Sequence, residues 1–266
     1  MTKSGYNPVR RNRNIGTPKQ GRGRTNAMTI PAVCHCERNW WENLGPFVVS
    51  EQSVGPHKIT FILEQTRESC VHACTIDDIC HILSLVPSSD MESLDTVVMR
   101  QPTRKQELVN PAWGRLAYSA DLGRPGKKTR RSGPAVFLEA KNPTEVWKWS
   151  RKLCPEDALE LDRLRADGHR VEDTGKRFIF RSDLESIRAT QLYRTLLHEV
   201  GHWVDWLEKV VRPAKDDYAK YEVLADRYFA RPKKEREGFA HQYADKLRRN
   251  LTAEGRIPFQ QIRSHF

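Results

Sequence analysis

Two short segments late in the chain carry residues that could hold a metal ion and activate water. The first is His198-Glu199-Val200-Gly201-His202. The second, Glu222-Val223-Leu224-Ala225-Asp226, begins 20 residues after His202. On an α-helix His198 and His202 stand at i and i+4, so both imidazoles project from one face. A histidine pair with a glutamate between them is typical of a helix that binds zinc and supplies a general base.

The third ligand is predicted at Glu222. A catalytic zinc takes three protein ligands and keeps one position open, and Glu222 on the next predicted helix would complete a two-histidine, one-glutamate set. Asp226, one turn further on, would accept the spare ring N–H of a liganding histidine. Glu199 would act as the catalytic base toward water.

The alternative is that His198 and His202 are ordinary residues of a surface or core helix. With 9 His and 19 Glu in 266 residues, an HExxH segment is expected by chance roughly 0.02 times. The predicted helices, at 188–210 and about 216–230, have broad apolar stripes that surround the charged residues. Acids drawn into apolar surroundings need a partner, and a metal ion would supply it.

These residues resemble the gluzincin metallopeptidases, whose pattern is HExxH followed by a ligand Glu with an Asp one turn later. The similarity is closest to the ImmA/IrrE-like and HtpX-like groups and covers residues 186–230. The resemblance implies that His198, His202 and Glu222 bind Zn²⁺, that Glu199 is the base and that Asp226 orients a ligand. It also implies a zincin-like fold, in which the active helix packs beneath a sheet whose edge strand binds extended substrate. Residues 135–140 or 177–181 are predicted for that edge strand.

Other assignments within the site stay open. A metzincin ligand pattern would need Gly at 205 and His at 208, but the chain has Asp205 and Glu208. Glu208 would lie off the metal face of a continuous helix, and Asp205 is either a partner of a ligand or a solvated carboxylate. The group that stabilises the oxyanion is unassigned, and His241, Tyr218 and Tyr228 are candidates because they lie downstream and can donate.

The amino-terminal residues are strongly basic. Residues 1–26 hold seven Lys or Arg and no Asp or Glu, and so contribute +7 of the formal net charge of +11. Their low apolar content predicts a disordered basic tail over 1–30, ahead of a metallopeptidase domain with an N-terminal α+β extension over 31–266. Such a tail either contacts nucleic acid or is simply solvated. A second basic run, 124–131, predicts an exposed loop.

Cysteines and hydropathy bear on location and on a second metal. No segment approaches the length of a membrane span, and an apolar leader is missing, so a soluble cytoplasmic protein with reduced thiols is expected. Cys34-His35-Cys36, with cysteines at 70, 74 and 80, offers ligands for a second zinc. Their spacing is irregular, which favours free thiols.

The pattern of the rest of the chain predicts an α+β fold with a small mixed or antiparallel sheet packed on the HExxH helix. Strands are predicted at 58–65, 95–100, 114–121, 135–140 and 177–181, and helices at 75–86 (with a capping box), 144–153, 156–166 and 233–251. The expected function is zinc-dependent endopeptidase activity on a protein or peptide. The alternatives are a nucleic-acid-associated regulator whose zincin domain cleaves or binds a repressor-like partner, and an inactive scaffold, against which the intact Glu199 counts.

Overall fold

Five strands form a mixed sheet in the computed structural model, which describes residues 39–122 and 131–262. The strands are β1 Phe47–Val54, β2 His57–Glu64, β3 Thr96–Arg100, β4 Gly114–Leu122 and β5 Arg131–Glu139, in the spatial order β1-β2-β3-β5-β4. β2, β3 and β5 are parallel, whereas β1 and β4 run antiparallel to their neighbours. β4 is therefore an antiparallel edge strand.

A second, three-stranded antiparallel sheet contains β6 Val146–Ser150, β7 Arg170–Asp173 and β8 Arg177–Arg181, in the order β6-β8-β7. The prediction of a helix at 144–153 is wrong, because this segment contains β6. Trp147 and Trp149 are partly buried against an apolar cluster that includes Phe180, whereas Lys148 between them is exposed. This alternation has the period of a strand, which the apolar content of the segment had obscured.

Helices cover one face of the larger sheet and supply most of the remaining structure. They are α1 Ile76–Ser84, α2 Arg104–Val109, α3 Pro155–Ala166, α4 Leu184–Thr190, α5 Leu197–Trp206, α6 Arg212–Ala214, α7 Tyr218–Ala230 and α8 Lys233–Ala253. Two π-helical segments, Gln191–Leu196 and Leu207–Val211, join α4, α5 and α6 into one continuous helical stretch. The largest core cluster lies between this stretch, the sheet, α1 and α8.

A buried carboxylate ties together three distant parts of the chain. Asp78 on α1 accepts from Arg188 Nε at 2.9 Å and Nη2 at 2.8 Å, and from the Ile262 N–H at 2.9 Å. Thr75 caps α1 and shares the predicted capping box with Asp78. Every lone pair that Asp78 brings into the core thus has a donor, and removing Arg188 would leave a buried charge, at a cost of about 3–5 kcal/mol.

Most predicted elements are confirmed, including α8 and the five predicted strands, which correspond to β2, β3, β4, β5 and β8. The mixed α+β class is confirmed with them. β1, β7 and α2 were not predicted. The predicted substrate-edge strands were misplaced. Residues 135–140 belong to β5, which lies between β3 and β4, and residues 177–181 form the central strand of the smaller sheet. Both are paired on two sides and offer no free edge.

Four cysteines lie among the described residues, and all four are free: Cys70, Cys74, Cys80 and Cys154. Burial raises the pKa of the Cys80 thiol to about 11, which keeps it protonated at neutral pH. Cys34 and Cys36, the basic tail over 1–30 and all but the last residue of the run 124–131 lie outside the described residues. Within the described ranges no helix combines the length and apolarity that crossing a membrane requires.

A buried histidine links the smaller sheet to α4. His169 is 4% exposed, and its ring lies between Ser182 Oγ and Thr190 Oγ1, each 2.8 Å away. The Thr190 hydroxyl donates to Asp167, so His169 Nε2 must donate to Thr190, and in the neutral ring Nδ1 accepts from Ser182. This arrangement satisfies the neutral ring, and burial lowers the pKa of His169 from 6.5 to about 4.

We therefore expect the free energy of unfolding to fall as the pH drops from 6.5 toward 4. In that window the unfolded chain protonates this histidine and the folded chain does not, so the contribution of His169 is present above pH 6.5 and is lost by pH 4. A shift of this size corresponds to about 3 kcal/mol. Urea unfolding of the wild type and of His169→Gln at half-unit pH steps measures it. Parallel pH dependence in the two proteins would contradict the assignment.

Candidate metal centre

The HExxH segment lies on α5, in the interior of the domain. The π-helical segment ahead of α5 begins at Gln191, whose buried amide donates to the carbonyls of Trp113 at 3.2 Å and Glu139 at 2.8 Å. These bonds fasten the helix to the end of β5 and to the residue before β4. π-helical segments inside α-helices frequently occur at functional sites, and here one lies on each side of the motif.

His198 and His202 meet a carboxylate from α8. Nε2 of His198 lies 3.3 Å from Glu237 Oε2, and Nε2 of His202 lies 3.5 Å from the same oxygen. Within the described part of the chain, no other group of three or more His, Cys, Asp or Glu side chains is arranged to hold a metal ion. The cysteines at 70, 74 and 80 therefore form no such cluster with each other.

Glu237 lies where a third ligand could complete the group, and the structure does not bring Glu222 to the histidines. Glu222 and Asp226 are both exposed on α7, and neither belongs to the metal-ligating group. Nδ1 of His198 and Nδ1 of His202 are buried and have no hydrogen-bond partner among the described residues. The role predicted for Asp226, accepting an N–H from a liganding ring, is therefore not seen.

Gly201, within the motif, allows α8 to approach α5 closely. A Cβ atom at Gly201 would lie 3.0 Å from both Cα and the carbonyl oxygen of Ala240, and 3.2 Å from Cβ of Tyr243. These distances are shorter than most Cβ contacts, so a side chain here would require the α8 backbone to shift by a few tenths of an ångström. Glu237 precedes Ala240 by about one helical turn, and this contact brings its carboxylate to the histidines.

Glu199 lies between the metal-ligating group and the edge strand. Its side chain is 7% exposed, and the Leu116 N–H of β4 lowers the pKa of its carboxyl. Burial raises the pKa of the Glu199 carboxyl, while His198 and His202 oppose the shift. In contrast, hydrogen bonds from the two histidine rings hold the pKa of Glu237 well below its usual range. The two carboxylates of the site thus differ in their tendency to accept a proton.

The group opens into a cleft of about 340 Å³. It is lined by Gly114, Arg115, Leu116 and Tyr118 of β4, by His198, Glu199 and His202 of α5, and by Lys233, Arg236 and Glu237 of α8. β4 pairs only with β5 among the described strands, and four of its residues line this cleft. An extended chain could add to the other edge of β4 through backbone hydrogen bonds.

The three predicted oxyanion donors have separate surroundings. Tyr218 is 72% exposed. Tyr228 is buried behind the cleft, with its hydroxyl 3.1 Å from that of Tyr118. The ring of His241 lies 4.3 Å from that of His198, and burial, with His198 and Arg163 beside it, lowers the pKa of His241 to about 4. His241 is the candidate that reaches the metal-ligating group.

Asp205 and Glu208 are not ligands. Asp205 is fully buried and is paired with Lys209 and with Arg231 Nη1, the latter at 3.2 Å. It joins α5 to the segment that connects α7 and α8. Glu208 is exposed. Asp205 is therefore neither a solvated carboxylate nor a partner of a liganding histidine, because it stabilises the chain that leads into α8.

The donor set fits a zinc ion. Zinc binds His nitrogen and carboxylate oxygen at about 2.0–2.2 Å, so the edges of a regular tetrahedron of ligands measure about 3.3–3.6 Å. The distances from Glu237 Oε2 to the two histidine Nε2 atoms are 3.3 and 3.5 Å. Two neutral nitrogens and one carboxylate form the ligand set of many catalytic zinc sites.

No family model, curated protein or solved structure matches this chain. The site therefore has to be interpreted from its own residues. Sequence reasoning missed Glu237, although Glu237 and His241 stand at i and i+4 on a helix that was predicted correctly. That spacing was the available signal, since it repeats the spacing of His198 and His202.

We expect Gly201→Ala to weaken metal binding and to destabilise the fold. The added methyl meets the backbone of α8, and overpacking of this kind costs about 1–3 kcal/mol. Gly238→Ala is the matched control, because a Cβ there meets nothing within 4 Å, and alanine in a helix stabilises by about 1 kcal/mol. Zinc titration and thermal unfolding of both variants measure the effects. Equal zinc affinity in the two variants would contradict the role given to the close approach.

The ligand assignment predicts which carboxylate holds the metal. Protein purified without chelator should contain about one zinc per chain, and His198→Ala or His202→Ala should abolish retention. Glu237→Gln should weaken binding by more than about 100-fold, since changes even beyond the ligands cost 10- to 100-fold. Elemental analysis and competition with a chromogenic chelator measure both.

Two exposed glutamates provide the controls. Glu235→Gln on the same helix and Glu222→Gln on α7 should keep the affinity of the wild type, because neither carboxylate belongs to the group. Loss of zinc in Glu222→Gln with retention in Glu237→Gln would restore the third ligand predicted from the sequence.

Proposed function

We propose that this protein is a zinc-dependent hydrolase of peptide bonds, with His198, His202 and Glu237 as ligands. The observation that carries the proposal is the convergence of the two Nε2 atoms on one Glu237 oxygen at distances that suit a tetrahedral ion. A buried carboxylate and an open cleft adjoin the same group. A purely structural zinc would be closed by four protein ligands and would need neither.

The surroundings of the site support a zincin-like arrangement. The helix that carries the motif packs against the larger sheet, and the strand nearest to it, β4, is the antiparallel edge. The resemblance to the gluzincins implies this arrangement. The edge strand that binds substrate would be β4 and not β5 or β8, the strands predicted from the sequence. The proposed third ligand, Glu237, comes from α8, and the short helix α6 and the helix α7 lie between the motif helix α5 and α8 in the chain.

Glu199 is suited to move protons during hydrolysis. Bound zinc would supply a Lewis acid that polarises the scissile carbonyl and lowers the pKa of water. Glu199 would take a proton from the attacking water and deliver it to the leaving amine, which is the work of a general base and then a general acid. Its carboxylate is buried and lines the same cleft as Leu116 of the edge strand.

The edge strand offers a way to bind substrate without reading its side chains. Backbone N–H and C=O groups on the free side of β4 can pair with an extended peptide, which would place that peptide along the metal-ligating group. The metal-ligating residues and Glu199 line the same cleft as Gly114 and Leu116. We therefore propose a protein or peptide as substrate.

We expect Glu199→Gln to keep its zinc and to lose hydrolysis. The amide leaves the ligands in place but cannot accept the proton, so turnover should fall by about 10²- to 10⁴-fold. The wild type and Glu199→Gln are incubated with a peptide library derived from a proteome, and mass spectrometry then detects the new termini. Because the library samples many sequences, this measurement does not require a known substrate.

Two controls separate chemistry from folding. His198→Ala should lose both zinc and cleavage, whereas Glu208→Gln, an exposed change on the same helical stretch, should resemble the wild type in both. Identical cleavage by the wild type and Glu199→Gln would refute the enzymatic proposal, and zinc retention by both would then leave a metal-binding protein.

A further inference from the structure

Apart from the residues proposed to bind zinc or to catalyse hydrolysis, the charged residues that line the cleft are cationic. Glu199 and Glu237 are the acidic residues among those that line it, and both belong to the proposed chemistry. The other charged residues there are Arg115, Lys233 and Arg236. A cleft walled by cations favours an anionic ligand, and its low-dielectric walls strengthen that preference.

Two of these cations already have acidic neighbours. Arg115 lies 2.8 Å from the buried Glu139, a carboxylate that also pairs with Arg100 and Lys141. Glu139 therefore holds the Arg115 guanidinium in place but cannot neutralise all three cations. Lys233 lies 3.9 Å from Glu237, and its side chain is 82% exposed. Its charge is therefore well solvated and contributes little.

Arg236 is different, because it is held in place and has no acidic partner in the part of the chain that the structure describes. Its guanidinium lies over the rings of Tyr228 and Phe229, with centroid distances of 5.6 and 5.4 Å. Its Nε is buried and lacks a hydrogen-bond partner among the described residues. Arg231, in the segment that joins α7 to α8, differs from Arg236 because it is paired with Asp205 and Glu235.

An arginine fixed on aromatic rings presents a planar fork of donors that suits a carboxylate. Arg236 directly precedes the ligand Glu237 and lines the same cleft. A carboxylate bound to Arg236 would thus lie next to the hydrolytic site. Phe229, which is 49% exposed beside Arg236, adds an apolar surface for the carbon chain that bears the carboxylate.

We propose that Arg236 recognises a substrate carboxylate close to the scissile bond, so that the preferred substrates are acidic peptides. This inference rests on the proposed function and names its substrate class. The carboxylate has two possible sources, an Asp or Glu side chain and the free carboxyl terminus of a peptide. The second source would make the enzyme an exopeptidase.

The test measures binding apart from turnover. Zinc-loaded Glu199→Gln protein is titrated calorimetrically with four alanine-based pentapeptides, which contain one central Glu or Gln and end in a carboxylate or an amide. At least one acidic form should bind about 10- to 100-fold more tightly than the fully neutral peptide, as expected for a charge-assisted hydrogen bond. A preference that follows Glu over Gln indicates the side chain, and one that follows the free terminus indicates the carboxyl end.

Arg236 variants decide whether this residue is responsible. Adding Arg236→Gln should abolish the preference, and Arg236→Lys should keep part of it, because an ammonium is a point charge without the fork. Lys234→Gln, an exposed change on the same helix, should keep all of it. Equal affinity for acidic and neutral peptides, no measurable binding at millimolar concentrations, or an unchanged preference in Arg236→Gln would each overturn the inference.

Turnover separates this role from two other outcomes. If Arg236 instead stabilised the oxyanion, Arg236→Gln in the active protein would lower kcat equally for acidic and neutral peptides, whereas carboxylate recognition predicts a rise in KM confined to acidic ones. If the protein were not a hydrolase, no peptide would be cleaved while the binding preference and its loss in Arg236→Gln remained.

Discussion

The contact between α5 and α8 at Gly201 is the constraint on which the site depends. Two helices normally keep their axes 8–10 Å apart because side chains separate them. At Gly201 there is no side chain, and Ala240 opposite it is small, so backbone meets backbone. The positions of Glu237, about one turn before the contact in α8, and of His241, the residue directly after Ala240, follow from it. A bulkier residue at either position would carry the carboxylate away from the histidines.

Three different elements each fix one part of the site. α5 supplies the histidines and Glu199, α8 supplies Glu237, and β4 supplies the Leu116 N–H that lowers the pKa of Glu199. Gln191 joins the helix to the sheet, and Asp205 joins α5 to the entry of α8. Because these anchors are buried hydrogen bonds and ion pairs, the distances within the site are set by the core rather than by exposed loops.

The sequence predicted the parts of this arrangement that are local. The HExxH spacing placed two histidines on one helix face, and the Thr75 capping box marked the start of α1. The third ligand depends on which helix packs on α5, and a sequence pattern does not encode that directly. Glu222 and Glu237 are both helical glutamates downstream of the motif, and only the Gly201 contact favours the second. Residues 144–153 were misassigned because Trp147 and Trp149 raised the apolar content of a segment whose alternation was strand-like.

The hydrogen bonds of Asp78 have a consequence for the order in which the chain can fold during synthesis. One donor to this carboxylate is 110 residues away, at Arg188, and another is 184 residues away, at Ile262. On a ribosome, α1 emerges long before either donor exists, and burying Asp78 alone would leave an unpaired charge in the core. The packing of α1 against the rest of the domain must therefore wait until the last donor has been made. This corner completes its folding only after residue 262 has been made, as expected where contacts are distant in sequence.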